Sequence, residues 1–297
     1  MLPSATEIVF DLGLGDSLVA VTDECDYPPE AAGLPIVSRC VLAGQELSPS
    51  EIDSVVSQAE HSGTPLYDID AAMLDTLRPD VILTQDLCPV CALPAHQAED
   101  ALQRAGCSAN VISLDPHSIA DVLASIEDLG AALGASDRAA DVVSSLRARV
   151  DAVRRRTAGL EAVPVLALEW GDPPWGAGHW VPEMIEAAGG SPLLGEHGQN
   201  SRRLEWSDVA EASPDVVVFM PCSFGLAEAM EHGRALFDHE EFVRTPAAQN
   251  RRVFATDAQS YFSRSGPRLV DGVEILAAVV HPDVFGPPPT GAVARLG

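Results

Sequence analysis

The side chains best equipped for chemistry cluster in one short stretch and at a few scattered positions. From Leu168 to Glu183 the chain reads LEWGDPPWGAGHWVPE and holds Trp170, Trp175 and Trp180, three of its four tryptophans, in a protein that is only 5% aromatic. Flat indole rings on an open proline- and glycine-rich loop suit stacking against a ligand. Each ring alone could equally cap the edge of a core. His179 stands just before a helix start at Val181-Pro182. The positive helix end disfavours a charged imidazole there and leaves a neutral nitrogen able to ligate a metal. A hydrogen-bonded loop histidine is the plainer alternative.

Cys88-Pro89-Val90-Cys91 has the spacing of half a zinc site, of a redox dithiol, or of two thiols packed in a loop. No second CxxC exists in the chain, so a metal set would have to draw Cys25, Cys222 and His179 from separate loops. Six cysteines in 297 residues are too sparse for a disulfide scaffold, and reduced thiols are expected. Arg39, Arg203 and Arg264 could clamp the carboxylates or phosphates of a ligand, or simply be solvated. The sequence has no G-x-S-x-G, P-loop, Rossmann G-x-G-x-x-G or H-E-x-x-H motif, and no catalytic constellation is visible. A binding protein rather than an enzyme is expected.

Composition narrows the field further. A formal net charge of −26 argues against nucleic acid, whose binding needs cationic side chains against phosphates. No apolar run reaches the ~18 residues a membrane helix needs. The sequence as given shows no signal peptide: there is no lysine, the first arginine is Arg39, and Asp11 interrupts the early apolar stretch. Read this way the protein is cytoplasmic, or extracytoplasmic if a signal lies upstream. It is expected to act as a monomer.

The elements that must position these residues alternate in type. A helix is expected from Pro3, with Ser4 as its cap and Glu7 three residues on. Strands are expected at Leu18 to Val21, Pro35 to Val37, Val81 to Thr84 and Val111 to Leu114, with helices over Ser50 to His61, Asp70 to Leu77 and Ala95 to Ala105. A long helical stretch from Ser118 to Ala158 breaks near Gly134, and its second piece reads as a rigid helix between two lobes. Alternation restarts with strands at Val163 to Leu168, Val216 to Phe219 and Arg252 to Ala255. This predicts an α/β fold of two Rossmann-like lobes with parallel sheets: residues 1–135, a linking helix at 136–160, residues 161–285, and a disordered tail at 286–297. An internal echo agrees, since Arg78-Pro79-Asp80-Val81 leads to Cys88 as Ser213-Pro214-Asp215-Val216 leads to Cys222. Glu24, Cys25, Asp26, Tyr27, Arg39, Gln85, Cys88, Cys91, Cys222, Tyr261 and Arg264 all fall just after an expected strand. In an α/β sheet that is the ligand-binding edge.

Leu2-Pro3-Ser4-Ala5-Thr6-Glu7, Asp26-Tyr27-Pro28-Pro29, Leu77-Arg78-Pro79-Asp80-Val81-Ile82, Pro173-Pro174, Gly189-Gly190 and Ser213-Pro214-Asp215-Val216-Val217 together resemble the cobalamin and ferric-siderophore substrate-binding proteins of ABC importers. The resemblance covers most of residues 1 to 283 and looks closest to the corrinoid binders. It implies a cobalamin-like, haem or other metal-chelate ligand held between two lobes, no required cofactor, and delivery to an ABC permease. Asp26 and Tyr27 match the family's Asp-Tyr-Pro loop beside the ligand, and Trp206 falls near a tryptophan that packs on the corrin. Gln85 and Cys40 stand near places where corrinoid binders carry aromatic rings. The family's permease-docking glutamates have only Asp70 and Glu205 or Asp208 nearby. The resemblance also implies a strand upstream of Met1. A cytoplasmic metal or haem protein and a dithiol oxidoreductase remain as alternatives.

Overall fold

Proline at the first helical position, where its missing N–H costs nothing, opens α1 (Pro3–Asp11). Leu2 is the cap residue and Ser4 and Glu7 are buried, so the predicted serine cap is not formed. The computed structural model describes residues 1–45, 47–62, 64–87 and 93–297. The chain divides into two units, Met1–Pro116 with Ala124–Val143, and His117–Leu123 with Ser144–Gly297.

In the first unit β1 (Val21–Thr22), β2 (Ile36–Cys40) and β3 (Tyr67–Ile69) form a three-stranded sheet, with α2 (Pro49–Ser62) between the last two in sequence. β1 and β2 are parallel, but β3 runs antiparallel to β2 and opposes Asp68 to Arg39. Neither that strand nor its direction was expected. Three residues are too few to show a period. Next come α3 (Ala71–Leu77), β4 (Val81–Thr84), α4 (Ala95–Ala105) and β5 (Asn110–Ser113), and β4 and β5 pair in parallel. Asp70 caps α3 by accepting from the Met73 amide at 2.9 Å. Ile82, Leu93, Ala98 and Leu102 pack with Leu66 and Leu74 into this unit's core.

α5 (Ile119–Ala132) and α6 (Ser136–Thr157) are separated at Gly134, whose φ of +74° only glycine adopts readily. The linking helix is not a body of its own. The division between units falls within it, after Val143, and also within α5, after Leu123.

The second unit is built on β6 (Val163–Gly171), β7 (Pro174–Gly176), β8 (Gly190–Leu193), β9 (Arg202–Arg203), β10 (Val216–Phe219), β11 (Val253–Thr256) and β12 (Val293–Leu296). The sheet order is β12-β11-β10-β6-β7-β9, with β8 also on β6. β6, β10 and β11 are mutually parallel as expected, and β8, a strand the sequence did not show, joins β6 in parallel, whereas β7, β9 and β12 each run antiparallel to the strand they join. Every residue of β10 is buried, the pattern of a strand covered on both faces. Around it lie α7 (Val181–Ala187), α8 (Trp206–Ala212), α9 (Leu226–Gly233), α10 (Glu240–Val243), α11 (Pro246–Gln249), α12 (Ala258–Tyr261), α13 (Leu269–Val280) and α14 (Pro282–Phe285). Arg149 of α6 grips Glu274 of α13 with two bonds of 2.9 and 2.7 Å, and also bonds Asp271.

Two sequence expectations meet the structure differently here. The Pro-Asp echo holds as far as the strands: α3 and α8 each end on a left-handed residue, Arg78 (φ 46°) and Ser213 (φ 51°), before Pro-Asp and a strand, half-buried in β4 and fully buried in β10, while Cys88 lies outside the described residues. The tail at 286–297 is not disordered. β12 pairs with all of β11, and Leu296 is buried against the core that holds Phe219 and Phe242. Four residues ending in a single large apolar side chain gave too little pattern to predict it.

Candidate ligand-binding site

The tryptophan stretch is a β-hairpin rather than an open loop. β6 runs on through Glu169 and Trp170 to Gly171, and Asp172 and Pro173 turn the chain into β7. Trp170 opposes Trp175, and Trp175 opposes Arg203 on β9, so the three side chains form a row on one face of the sheet. Trp170 and Trp175 are part-exposed and Arg203 is exposed. Phe224, on the loop after β10, meets the Trp170 ring at 5.3 Å. This gives the second unit an aromatic wall ending in a cation.

Just beside the row the strand pairing slips. Leu168 opposes Gly176 and Trp170 opposes Trp175, leaving Glu169 as the extra residue of a β-bulge. Its carboxyl accepts from the Ser201 hydroxyl and the Gly178 amide, and burial pushes it up to about 7, against those two bonds. The same Gly178 amide lies 3.2 Å from the Ser201 oxygen. Gly178 is needed here because a Cβ would come within 2.4 Å of the Gln199 carbonyl oxygen. His179 follows in a left-handed conformation (φ 51°), its amide donating to Gln199 O at 2.6 Å. Burial lowers the proton affinity of its ring, and nearby His117 adds to this while a bond to Asn200 opposes it. The two imidazoles are 6.3 Å apart, and Nε2 of His179 is buried with no hydrogen-bond partner. Glu169, Gly178, His179, Asn200 and Ser201 therefore form one continuous polar cluster adjoining the aromatic row. Asn200 and Ser201 sit in a polar loop with no distinguishing sequence signal.

In the first unit Glu24, Cys25, Asp26 and Tyr27 follow β1 as expected, with Tyr27 43% exposed and Cys25 buried against the Thr6 hydroxyl at 3.1 Å. Asp23 ties this loop to the end of β2 by accepting from the Cys40 amide at 3.4 Å. Arg39 and Cys40 lie within β2 rather than after it, with Arg39 exposed. Burial raises the Cys40 thiol's affinity for its proton, partly offset by the Leu42 amide. Gln85 follows β4 and is buried, and Asp86 beside it donates its amide to Asp115 after β5. An open concavity of about 800 Å³ over β3 and α4, lined by Tyr67, Gln97 and Arg104 among others, contains none of the residues singled out from sequence.

Several expectations need correction. Trp180 is 5% exposed and donates its indole N–H to Phe262 O at 2.9 Å, so it packs the core and offers no stacking face. Trp206 opens α8 and stacks on His239 at 4.2 Å with Phe242 edge-on at 5.8 Å, so its ring is occupied by its own unit. Arg264 is 8% exposed, buried within the second unit rather than presented on a surface, and Tyr261 ends α12 with Arg268 over its ring at 5.9 Å. Cys88 and Cys91 lie outside the described residues. Among the described residues no three His, Cys, Asp or Glu side chains converge as a metal site requires. Of the metal set expected from Cys25, Cys88, Cys91, His179 and Cys222, two members lie outside the described residues. No disulfide joins Cys25, Cys40, Cys107 or Cys222.

Two α/β units, with chemistry-bearing residues gathered at strand ends and an aromatic wall on one of them, define a binding-protein architecture. The chain belongs to the periplasmic binding protein family, whose description matches residues 2–260. It is 24% identical over 291 residues to an uncharacterized ABC transporter substrate-binding lipoprotein of Bacillus subtilis, covering 96% of this chain and 80% of the relative. It is 25% identical over 283 residues to the vitamin B12-binding protein of Vibrio cholerae, covering 92% of this chain and 85% of that one. The fold superposes on a periplasmic heme binding protein from Pseudomonas aeruginosa with a TM-score of 0.73 and 20% identity, over 99% of this chain and 95% of that one. Members of this family are substrate-binding proteins of ABC importers. No helix among the described residues is long and apolar enough to cross a membrane.

Proposed function

We propose that this protein captures a large, flat metal-chelate ligand of the cobalamin kind outside the cytoplasm and delivers it to an ABC permease. One observation carries the reading: the Trp170–Trp175–Arg203 row, two part-exposed indoles continued by a guanidinium on one sheet face. Indoles in that arrangement stack on a macrocycle while the arginine meets an anionic edge group. The 25% identity to a vitamin B12-binding protein supports the ligand class. The chelate is cargo, and the chain's own residues do no covalent chemistry on it.

The test is a titration of the purified protein with cyanocobalamin and, separately, with haemin, followed by absorbance and tryptophan fluorescence. Saturable quenching by cyanocobalamin is expected. Trp175→Ala should weaken binding about fivefold, the loss of roughly 1 kcal/mol of stacking. If neither compound perturbs the spectra, the reading is wrong.

A further inference from the structure

Glu169 is a carboxyl in a place that strands seldom give one. The residues before it in β6 are apolar and buried, from Val165 to Leu168, and the bulge turns this one side chain onto Ser201 and Gly178. Its backbone carbonyl also accepts from the Cys222 amide at 3.4 Å, joining the loop after β10 to the same point. Four segments thus meet at one residue: the hairpin with Trp170 and Trp175, the Gly178–His179 turn, the stretch that runs through Ser201 into Arg202 and Arg203, and the loop after β10.

We propose that Glu169 is the positioning residue of the second unit's ligand wall, its carboxyl fastening the Trp170–Trp175 hairpin to the His179 turn and the Ser201 segment, and that ligand binding on this wall takes up one proton from solvent. The inference rests on the functional reading above for the identity of the wall. Its physical argument is one of linkage. Part of Glu169 is still exposed. A ligand lying over the indoles strips away that remaining water, and lost hydration always favours the neutral carboxylic acid over the carboxylate. Binding and protonation then reinforce one another, and affinity must fall as pH rises through the carboxyl's titration. The other titratable or charged groups on the surrounding segments are His179 on the turn, His117 beside it, Cys222 after β10, Asp172 at the hairpin tip, and Arg202 and Arg203 on β9. The two histidines gain charge on the acid side. A carboxyl loses its proton on the alkaline side, and replacing Glu169 alone identifies which group is responsible.

The experiment compares wild type, Glu169→Gln and Glu169→Ala at about pH 6 and about pH 8, using cyanocobalamin and haemin as probes. Wild type should bind about tenfold more weakly at the higher pH, the effect of roughly one unit of coupled titration. Glu169→Gln keeps two polar atoms but cannot ionise, and should bind equally at both. Glu169→Ala lacks the fastening and should bind more weakly at both while still melting cooperatively. A ligand-free arm follows tryptophan emission over the same range, where wild type should shift with a midpoint near 7 and Glu169→Gln should stay flat. If wild type binds neither probe, the functional reading fails and the ligand-free arm alone decides the fastening. Wild-type binding independent of pH, or a Glu169→Gln titration superimposable on wild type, overturns the proposal.

Discussion

At the scale of single residues, Glu169 and His179 pull stability in opposite directions with pH. Burial raises Glu169 from its ordinary 4.5 to about 7, so the fold prefers the protonated acid. Its contribution is complete below about 4.5 and falls as pH rises toward 7, by at most about 3 kcal/mol, before levelling off. Burial lowers His179, so its contribution is present at higher pH and lost on acidification. Glu169→Gln should therefore remove the fall in stability between about pH 4.5 and about 7 in chemical denaturation curves and leave the His179 loss on acidification in place. Gly178→Ala should be worse than a typical surface change. The added methyl would sit 2.4 Å from the Gln199 oxygen and force open the His179 turn, costing about 3 kcal/mol or more in the same assay. Sequence marked Trp170, Trp175 and His179 as unusual by type and position. It did not mark Ser201 or Asn200, because a polar residue in a polar loop looks the same whether or not it bonds a buried partner.

At the scale of elements, legibility followed length and regularity. The helix at 95–105 and the strand at 81–84 coincide with their sequence expectations, because each carries a full period of apolar residues between clear breakers. β3 and β7, three residues each, and β12 were invisible or misread. Their pairing is set by neighbours far away in sequence. The misreading of the tryptophan stretch has the same origin. Pro173, Pro174 and the glycines suggested an open loop, but prolines are tolerated at strand edges and turns, and paired indoles stabilise a hairpin. β12 makes the sharpest element-scale prediction. Leu296 is 3% exposed within the core cluster and covers the β11 edge. Leu296→Ala should cost about 2–4 kcal/mol by chemical denaturation and increase aggregation, as an uncovered edge strand would.

For the whole molecule, the family was readable from short motifs in order, although no one of them would have sufficed. The ligand class was less so. The chain carries −26 formal charges, and self-repulsion at that density destabilises any compact state. Raising salt from about 10 mM to about 300 mM shortens the screening length severalfold and should raise the melting temperature by a few degrees in calorimetry. A Tm unchanged or lowered by salt would mean that favourable pairs, such as Arg149 with Asp271 and Glu274, outweigh the repulsion.

The pairing of Trp170 with Trp175 has an optical consequence. Two indoles on directly opposed residues of an antiparallel strand pair are near enough for their electronic transitions to couple, and coupled transitions split into circular-dichroism bands of opposite sign. Trp180 and Trp206, whose rings sit against unlike neighbours, contribute no such couplet. The protein therefore carries an unlabelled chiroptical reporter on the surface proposed to meet the ligand. That signal should vanish when either ring of the pair is removed, and should change sign pattern or amplitude when a chromophoric macrocycle stacks on them.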